Sequence, residues 1–302
     1  MKKTEASILL FHRVHPTRDI LWDPMDPKRF ESILKFIKKN YTVLPLLEIL
    51  ETKPVNTKKP LAAITFDDGY RDFIDYSLPI MTHLKIPSSM YVVTDCICRN
   101  KPTWTFEVDY LFFHTKKLQI NWTIDISFMP ATLQKNKFAN KKELIAFCLK
   151  FKQHIKLIPE QKRKSLIYDL LSSFNDVTIP TGLMMSWKEI NQIINHGIEV
   201  GSHTVTHPSL ATLDKVDIQK ELEESKSALF KHTGINPKII SYPVGSYNQE
   251  VKEASAVTGY KYGLAVNHKI YDLKSGNNFE IPRIELYNEP FWKSWLRIKQ
   301  YV

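Results

Sequence analysis

The sequence predicts an α/β fold: a distorted (β/α)7–8 barrel of parallel strands with helices outside and one mainly helical insertion. Three observations predict it. Short apolar segments ending in polar residues recur along the 302 residues, amphipathic helical patterns fill most intervals between them, and no Gly-x-Gly-x-x-Gly follows any of the segments. The last point removes the main support for an open dinucleotide-binding sheet.

The strand candidates are SILLFH (7–12), TVLPL (42–46), LAAITF (61–66), SSMYVV (88–93), GIEVGS (197–202), KIISYP (238–243), YGLAV (262–266) and IPRIEL (281–286). Among the helices, PKRFESILKFIKK (27–39) places Phe30, Ile33, Leu34 and Ile37 at helical spacing. Ser186-Trp187-Lys188-Glu189 reads as a capping box opening a helix to about Asn195, with Gly197 closing it. Another helix runs from about Asp214 to Lys231, stopped by Gly234. The stretch from 100 to 180 breaks the rhythm, being rich in lysine and aromatics and helical by pattern. It reads as a subdomain inserted over the barrel mouth of a single domain spanning 1–302. No internal repeat or low-complexity tract is visible.

A chain of this size buries an ample core without staples. The three cysteines, Cys96, Cys98 and Cys148, are odd in number and the first two too close for an easy disulfide, which favours a reducing compartment. The amino terminus MKKTEASILLFHRV starts like a signal peptide, but its short apolar stretch ends at His12 and Arg13. No run of about 18 apolar residues appears elsewhere, so the expectation is a cytoplasmic protein with no spanning segment. The net charge of +10 suits an anionic membrane surface, a phosphate-bearing substrate or nucleic acid. Much of it is lysine between Lys135 and Lys164, alternating with Leu144, Phe147, Leu149, Ile155 and Ile158 as on the solvated side of amphipathic helices. Nucleic acid has only the net charge behind it, without an aromatic-basic motif, and is not expected as a partner.

The chemistry concentrates in two motifs. ITFDDGY (64–70) sets Asp67 and Asp68 side by side where a strand ends, the place where parallel barrels carry their catalytic groups. GSHTVTHPSL (201–210) carries His203 and His207 in a segment that Gly201 and Pro208 mark as a loop or a single turn. Alone, each pair suits a structural role as well as a metal. Together, two histidines and one aspartate make three protein ligands with positions left for water, the arrangement of a catalytic metal. A cation also accounts for two adjacent carboxylates: it stabilises one and leaves its neighbour beside activated water as a proton acceptor.

TFDDG followed by Ser202-His203-Thr204-Val205-Thr206-His207 resembles the first two motifs of the polysaccharide deacetylases, the NodB-homology group of carbohydrate esterase family 4. The resemblance implies Asp67 as base, Asp68, His203 and His207 as metal ligands, and Thr204 as the hydroxyl bracing the histidine loop. The family's Arg-x-Pro-Tyr-Gly motif appears as Ser241-Tyr242-Pro243-Val244-Gly245, with serine in place of the arginine that orients the base and valine in place of tyrosine. The Val244 backbone amide still supplies an oxyanion donor, and Arg283 in IPRIEL is the candidate stand-in for the missing arginine. The family's closing Leu-x-His, which gives the general acid, has no match after Arg283. Leu9-Leu10-Phe11-His12 at the amino terminus looks like the closing strand of permuted members, which makes His12 the candidate acid.

The resemblance implies a metal-dependent N-deacetylase, with zinc as the default ion and cobalt, iron, manganese or nickel compatible with the same ligands. The substrate it implies is an N-acetylated glycan or lipid-linked sugar, handled at the inner face of a membrane with peripheral association to anionic lipid. A catalytically impaired glycan-binding barrel, or an amide hydrolase or deformylase acting on a lipid-linked amino sugar, would carry the same metal residues. In the insertion Trp104, Phe106 and Tyr110 are candidates for stacking on sugar rings or for packing, Glu107 and Asp109 are unassigned, and His83, His114, His154, His196 and His232 receive no role.

Overall fold

The computed structural model of the chain describes residues 4–19, 21–53 and 57–301, so the basic start at 1–3 lies outside the described residues. The chain opens with β1 (Glu5–Phe11) and α1 (Pro27–Asn40), followed by β2 (Thr42–Val43), α2 (Leu46–Thr52), β3 (Leu61–Phe66), α3 (Leu78–Leu84), β4 (Ser89–Val92) and α4 (Thr94–Arg99). The 100–180 stretch contains α5 (Trp104–His114), α6 (Lys141–Ile155) and α7 (Glu160–Ser173). Alternation resumes with α8 (Trp187–Asn195), β5 (Glu199–Ser202), α9 (Lys215–Thr233), β6 (Ile239–Ser241), α10 (Gln249–Val257) and β7 (Tyr262–Leu264). Two short strands, β8 (Tyr271–Asp272) and β9 (Ile284–Glu285), precede α11 (Phe291–Ile298).

Local chemistry sets the helix ends. Asp26 accepts from Lys28 N and Arg29 N at the start of α1, and Pro27 gives up an N–H that had no helical partner. The capping box of Ser186 and Glu189 is present at α8, and α9 begins at a capping Asp214 and stops at left-handed Gly234.

The sheet runs β7-β6-β5-β4-β3-β1-β8, with β2 also on β3 and β9 also on β1. Pairing between β1 and β3 is parallel from Ala6↔Leu61 to Phe11↔Phe66. The 281–285 segment links β1, next to one end of this path, with β7 at the other: Ile284 pairs with Leu9 of β1, and Ile281 bridges Leu264 of β7. That closure curls the sheet into a distorted barrel. Ala6, Ile8, Ala63, Tyr91, Ile239 and Leu264 meet in its interior. The alternate residues Leu9, Phe11, Ile64 and Phe66 face the α1 residues Phe30, Ile33, Leu34 and Ile37. Both faces of β1 and β3 are thus buried, which is why these strands read as continuous apolar runs.

Several expected strands are shorter than their apolar runs. TVLPL yields only Thr42–Val43, because Pro45 has no N–H to give a ladder and instead caps α2. YGLAV and IPRIEL yield three and two residues. β8 pairs antiparallel with Glu5 and Ala6, a departure from an all-parallel sheet that two residues carry no periodicity to announce. In α6, Leu149 is half exposed and Phe151 takes the buried place.

The helices of the 100–180 stretch share their own apolar cluster, with Leu111, Phe112, Phe147, Phe151, Leu166 and Phe174. Phe106 of α5 packs instead into the outer layer of the barrel and Tyr110 stacks on it, so these two aromatics are packing groups. All three cysteines are free. Among the described residues no helix is long and apolar enough to cross a membrane.

Candidate active site

Asp67, Asp68, His12 and His203 directly follow the carboxyl ends of β3, β1 and β5, His207 and Val244 lie in the loops after β5 and β6, and Arg283 immediately precedes β9, so the barrel brings together groups remote in sequence. Asp67 follows β3, its N–H donating to Phe11 O at 3.1 Å. Asp68 and Gly69 make the sharp turn that follows. Asp68 has φ 76° and Gly69 φ 89°, and a Cβ on Gly69 would stand 3.1 Å from Ile97 Cδ1 and 3.2 Å from Val92 Cγ1. The glycine of the DDG motif is therefore required by both backbone and space.

The histidine loop is held from three sides. The first N–H groups of α4, at Thr94 and Asp95, donate to the Thr204 and Val205 carbonyls at 3.1 and 3.0 Å, satisfying helix donors that have no internal partner. Glu221 on α9 accepts from Val205 N, Thr206 N and Thr206 Oγ1 at 2.8, 3.0 and 2.6 Å. Within the loop His207 N donates to Thr204 Oγ1 at 3.2 Å, and from α5 Trp104 Nε1 donates to His207 O at 2.8 Å. Trp104 also lies against the buried Arg163 guanidinium at 4.5 Å, so it braces the loop instead of waiting free for a sugar.

This scaffold aims three donors at one point. His203 Nδ1 lies 2.8 Å from Ser241 O; a carbonyl only accepts, so Nδ1 donates there and Nε2 is the nitrogen turned toward Asp68. Nε2 of His203 and Nε2 of His207 stand 3.5 and 3.4 Å from Asp68 Oδ1. Two donors each ~2.1 Å from a shared ion at a tetrahedral angle stand roughly 3.4 Å apart. Asp68 Oδ1 is buried without a hydrogen-bond partner, and all three residues are buried. Burial pushes the Asp68 carboxyl up from its ordinary value, and it holds His207 well below its own, which keeps that imidazole neutral as a metal ligand must be. A buried carboxylate oxygen without a hydrogen-bond partner, facing two imidazole nitrogens, fits a divalent cation.

Asp67 has a different environment. Burial opposes its charge, but Arg283 donates to both carboxylate oxygens at 2.8 and 2.7 Å and, with His203 nearby, holds the carboxyl well below the usual range. The same guanidinium donates to Ser241 Oγ at 2.8 Å, and Ser241 Oγ donates to Asp67 Oδ2 at 3.0 Å. The serine at the motif's arginine position is thus part of the clamp. His12 follows β1 with its Nδ1 3.6 Å from Glu285 Oε1. Val244 follows β6 with φ 51°.

Asp67, Asp68, His203, His207, His12 and Val244 all line one cavity of about 550 Å³, a volume suited to a small-molecule site. Positive φ marks the same region. Lys53, Lys85 and Asn100 are ordinary left-handed helix ends, whereas Asp68, Thr204, His207 and Val244 belong to the site and owe their strain to no helix.

The sequence profile of the polysaccharide deacetylases matches residues 54–263. The chain belongs to the polysaccharide deacetylase family. The matched span holds the aspartate pair, the histidine loop and Val244, while His12 and Arg283 lie on either side of it. The deacetylase homologue YxkH of Bacillus subtilis (strain 168) is 36% identical over 77 residues, 26% of this chain and 28% of that protein. Two solved structures share the fold. The Streptococcus pyogenes deacetylase PplD, in complex with acetate, superposes with TM-score 0.62 at 19% identity, covering 94% of this chain and 93% of that one. A de-N-acetylase from Aggregatibacter actinomycetemcomitans gives TM-score 0.62 at 14% identity, with 99% and 100% covered.

Parts of this deacetylase-family site carried no motif to find them by. Leu21–Met25 form a wall of the cavity, with Trp22 edge-on to His12 at 5.8 Å, yet their sequence reads as an ordinary loop. Asp109, Lys152 and Lys156 reach the same cavity from the 100–180 stretch. Glu221 is one of several acidic residues on α9, and only the fold tells it from the rest.

Proposed function

We propose that the protein is a metal-dependent hydrolase that removes N-acetyl groups from an amino sugar of a polysaccharide or of a lipid-linked glycan precursor. The observation that carries this reading is the buried Asp67, clamped by Arg283 and Ser241 beside the Asp68, His203 and His207 cluster. A binding site or a structural metal has no use for a second carboxylate fixed at that cost.

Asp68, His203 and His207 would hold the cation, zinc by default for nitrogen and oxygen donors, and when bound it would polarise the amide carbonyl and acidify nearby water. Asp67, ionised at any working pH, accepts a proton from the attacking water as the new C–O bond forms. The Val244 N–H donates to the carbonyl oxygen as it gains charge. His12, whose Nδ1 lies 3.6 Å from Glu285 Oε1, gives its proton to the nitrogen as the C–N bond breaks, releasing acetate and the free amine. Arg283 takes no proton; it fixes which Asp67 oxygen faces the substrate. Residues 100–180, within one domain spanning 1–302, serve as a lid that completes the cavity wall.

The test is release of acetate against formate from N-acylated amino sugars, with and without chelator. Acetate released only with metal present supports the reading; formate in its place assigns a deformylase, and binding without release assigns an impaired barrel. Peripheral association with an anionic membrane at the cytoplasmic side fits the exposed Phe291 and Trp292 of α11 beside Lys293. Sedimentation with vesicles containing phosphatidylglycerol, lost in Trp292→Glu, is the expected result; equal pelleting with neutral vesicles would remove the preference for anionic lipid, and no lipid-dependent pelleting would remove the membrane role.

A further inference from the structure

Among the described residues, the charges around the catalytic cavity leave one lysine without a hydrogen-bond or ion-pair partner. Asp67 is paired with Arg283, Asp109 with Lys152, and Asp23 with Arg18. Arg13 is paired with Asp72 at 2.7 Å, and Glu285 lies beside His12 while accepting from Tyr287 Oη at 2.6 Å. Lys156 lines the cavity from just beyond the end of α6, and among the described residues its ammonium is the lining cation with no hydrogen bond and no ion pair.

Lys156 is half-buried, unlike the exposed Lys150 of α6. Burial holds its pKa below the ordinary lysine value, with Lys152 adding to the effect and Glu285 and Asp109 opposing it. An ammonium that gives up hydration without gaining a partner is costly, and a ligand that brings an anion to it offsets that cost. A lysine is also a compact, mobile point charge, suited to a phosphate or carboxylate whose position varies with the substrate.

We propose that Lys156 receives an anionic group, phosphate or carboxylate, carried by the N-acetylated sugar, so that the cavity selects charged amino-sugar substrates over neutral ones. This rests on the deacetylase reading of the same cavity. It adds a specificity-determining residue outside the aspartate and histidine motifs, supplied by the 100–180 stretch.

The test compares methyl N-acetylglucosaminide, N-acetylglucosamine 1-phosphate and N-acetylmuramic acid as substrates of the metal-loaded protein. Calorimetric binding of the same three compounds is measured alongside. Wild type is expected to favour at least one anionic sugar by about tenfold in kcat/KM, the scale of a charge-assisted contact. Lys156→Met should bring that ratio close to one through KM, Lys156→Arg should restore part of it, and Lys150→Met should leave it alone. The preferred anion distinguishes a phosphate-linked substrate from a uronate or lactyl one. Equal turnover and equal binding of the three sugars by wild type, or a preference that survives in Lys156→Met, would overturn the assignment. Should no sugar be hydrolysed, the deacetylase reading is what fails, and binding still decides whether Lys156 selects an anion.

Discussion

Asp67→Asn is expected to lower kcat/KM for amide hydrolysis by about 10²–10⁴-fold, the usual worth of a positioned proton acceptor, while the purified protein keeps its metal. The reason lies in the division of labour between adjacent residues. Asp68 Oδ1 faces both imidazoles, whereas both Asp67 oxygens are engaged by Arg283 and Ser241. An asparagine keeps the volume but has no basic oxygen to take a proton. His203→Ala should show the opposite pairing of effects: it deletes the Nε2 donor, so metal content falls and activity falls with it. Metal analysis and turnover on the same preparations separate the two roles. If Asp67→Asn loses its metal while His203→Ala retains it, the assignment of base and ligand is reversed; if Asp67→Asn turns over like wild type, no proton passes through this carboxylate.

The sequence made these residues candidates because their chemistry is local. Two aspartates and a glycine at the end of an apolar run, or two histidines four apart in a turn, state their residue types and their strand-end position within a few letters. The barrel was legible for a similar reason, since β1 and β3 are buried on both faces and read as unbroken apolar runs. What stayed hidden depends on pairing across the chain. β8 is two residues long and antiparallel, so nothing in its letters distinguishes it from a turn. The wall made by Asp109, Lys152 and Lys156 exists only because the 100–180 stretch packs against the barrel end. Arg283 falls between these cases. The serine in the third motif signalled that an arginine was missing, but only the closure of Ile281–Glu285 against β1 and β7 brings one from 216 positions away onto Asp67.

That closure makes Arg283 the residue whose loss should cost most in stability. Arg283 is wholly buried and Asp67 nearly so, and Arg283→Met would leave a carboxylate in the barrel with Ser241 as its hydrogen-bond partner and His203 Nε2 3.8 Å away. Breaking one half of a buried ion pair typically costs about 3–5 kcal/mol. The effect has a definite pH dependence in chelated protein. With Arg283 present, the folded Asp67 pKa lies below its ordinary value of 3.8, so the pair's contribution is present above that pH and lost on acidification. Without Arg283, burial dominates and the folded pKa rises above the unfolded one, so the variant loses stability as pH increases. The gap between wild type and Arg283→Met should therefore widen from pH 4 to pH 7, which urea melts at several pH values will measure. Arg283→Lys should recover only part, because one ammonium cannot span both carboxylate oxygens and Ser241 Oγ. The double variant Asp67→Asn with Arg283→Met removes both charges and should regain much of the stability while remaining inactive. A double variant no more stable than Arg283→Met would place the cost in lost packing, and a gap that stays constant with pH would show that Asp67 is not the group Arg283 holds ionised.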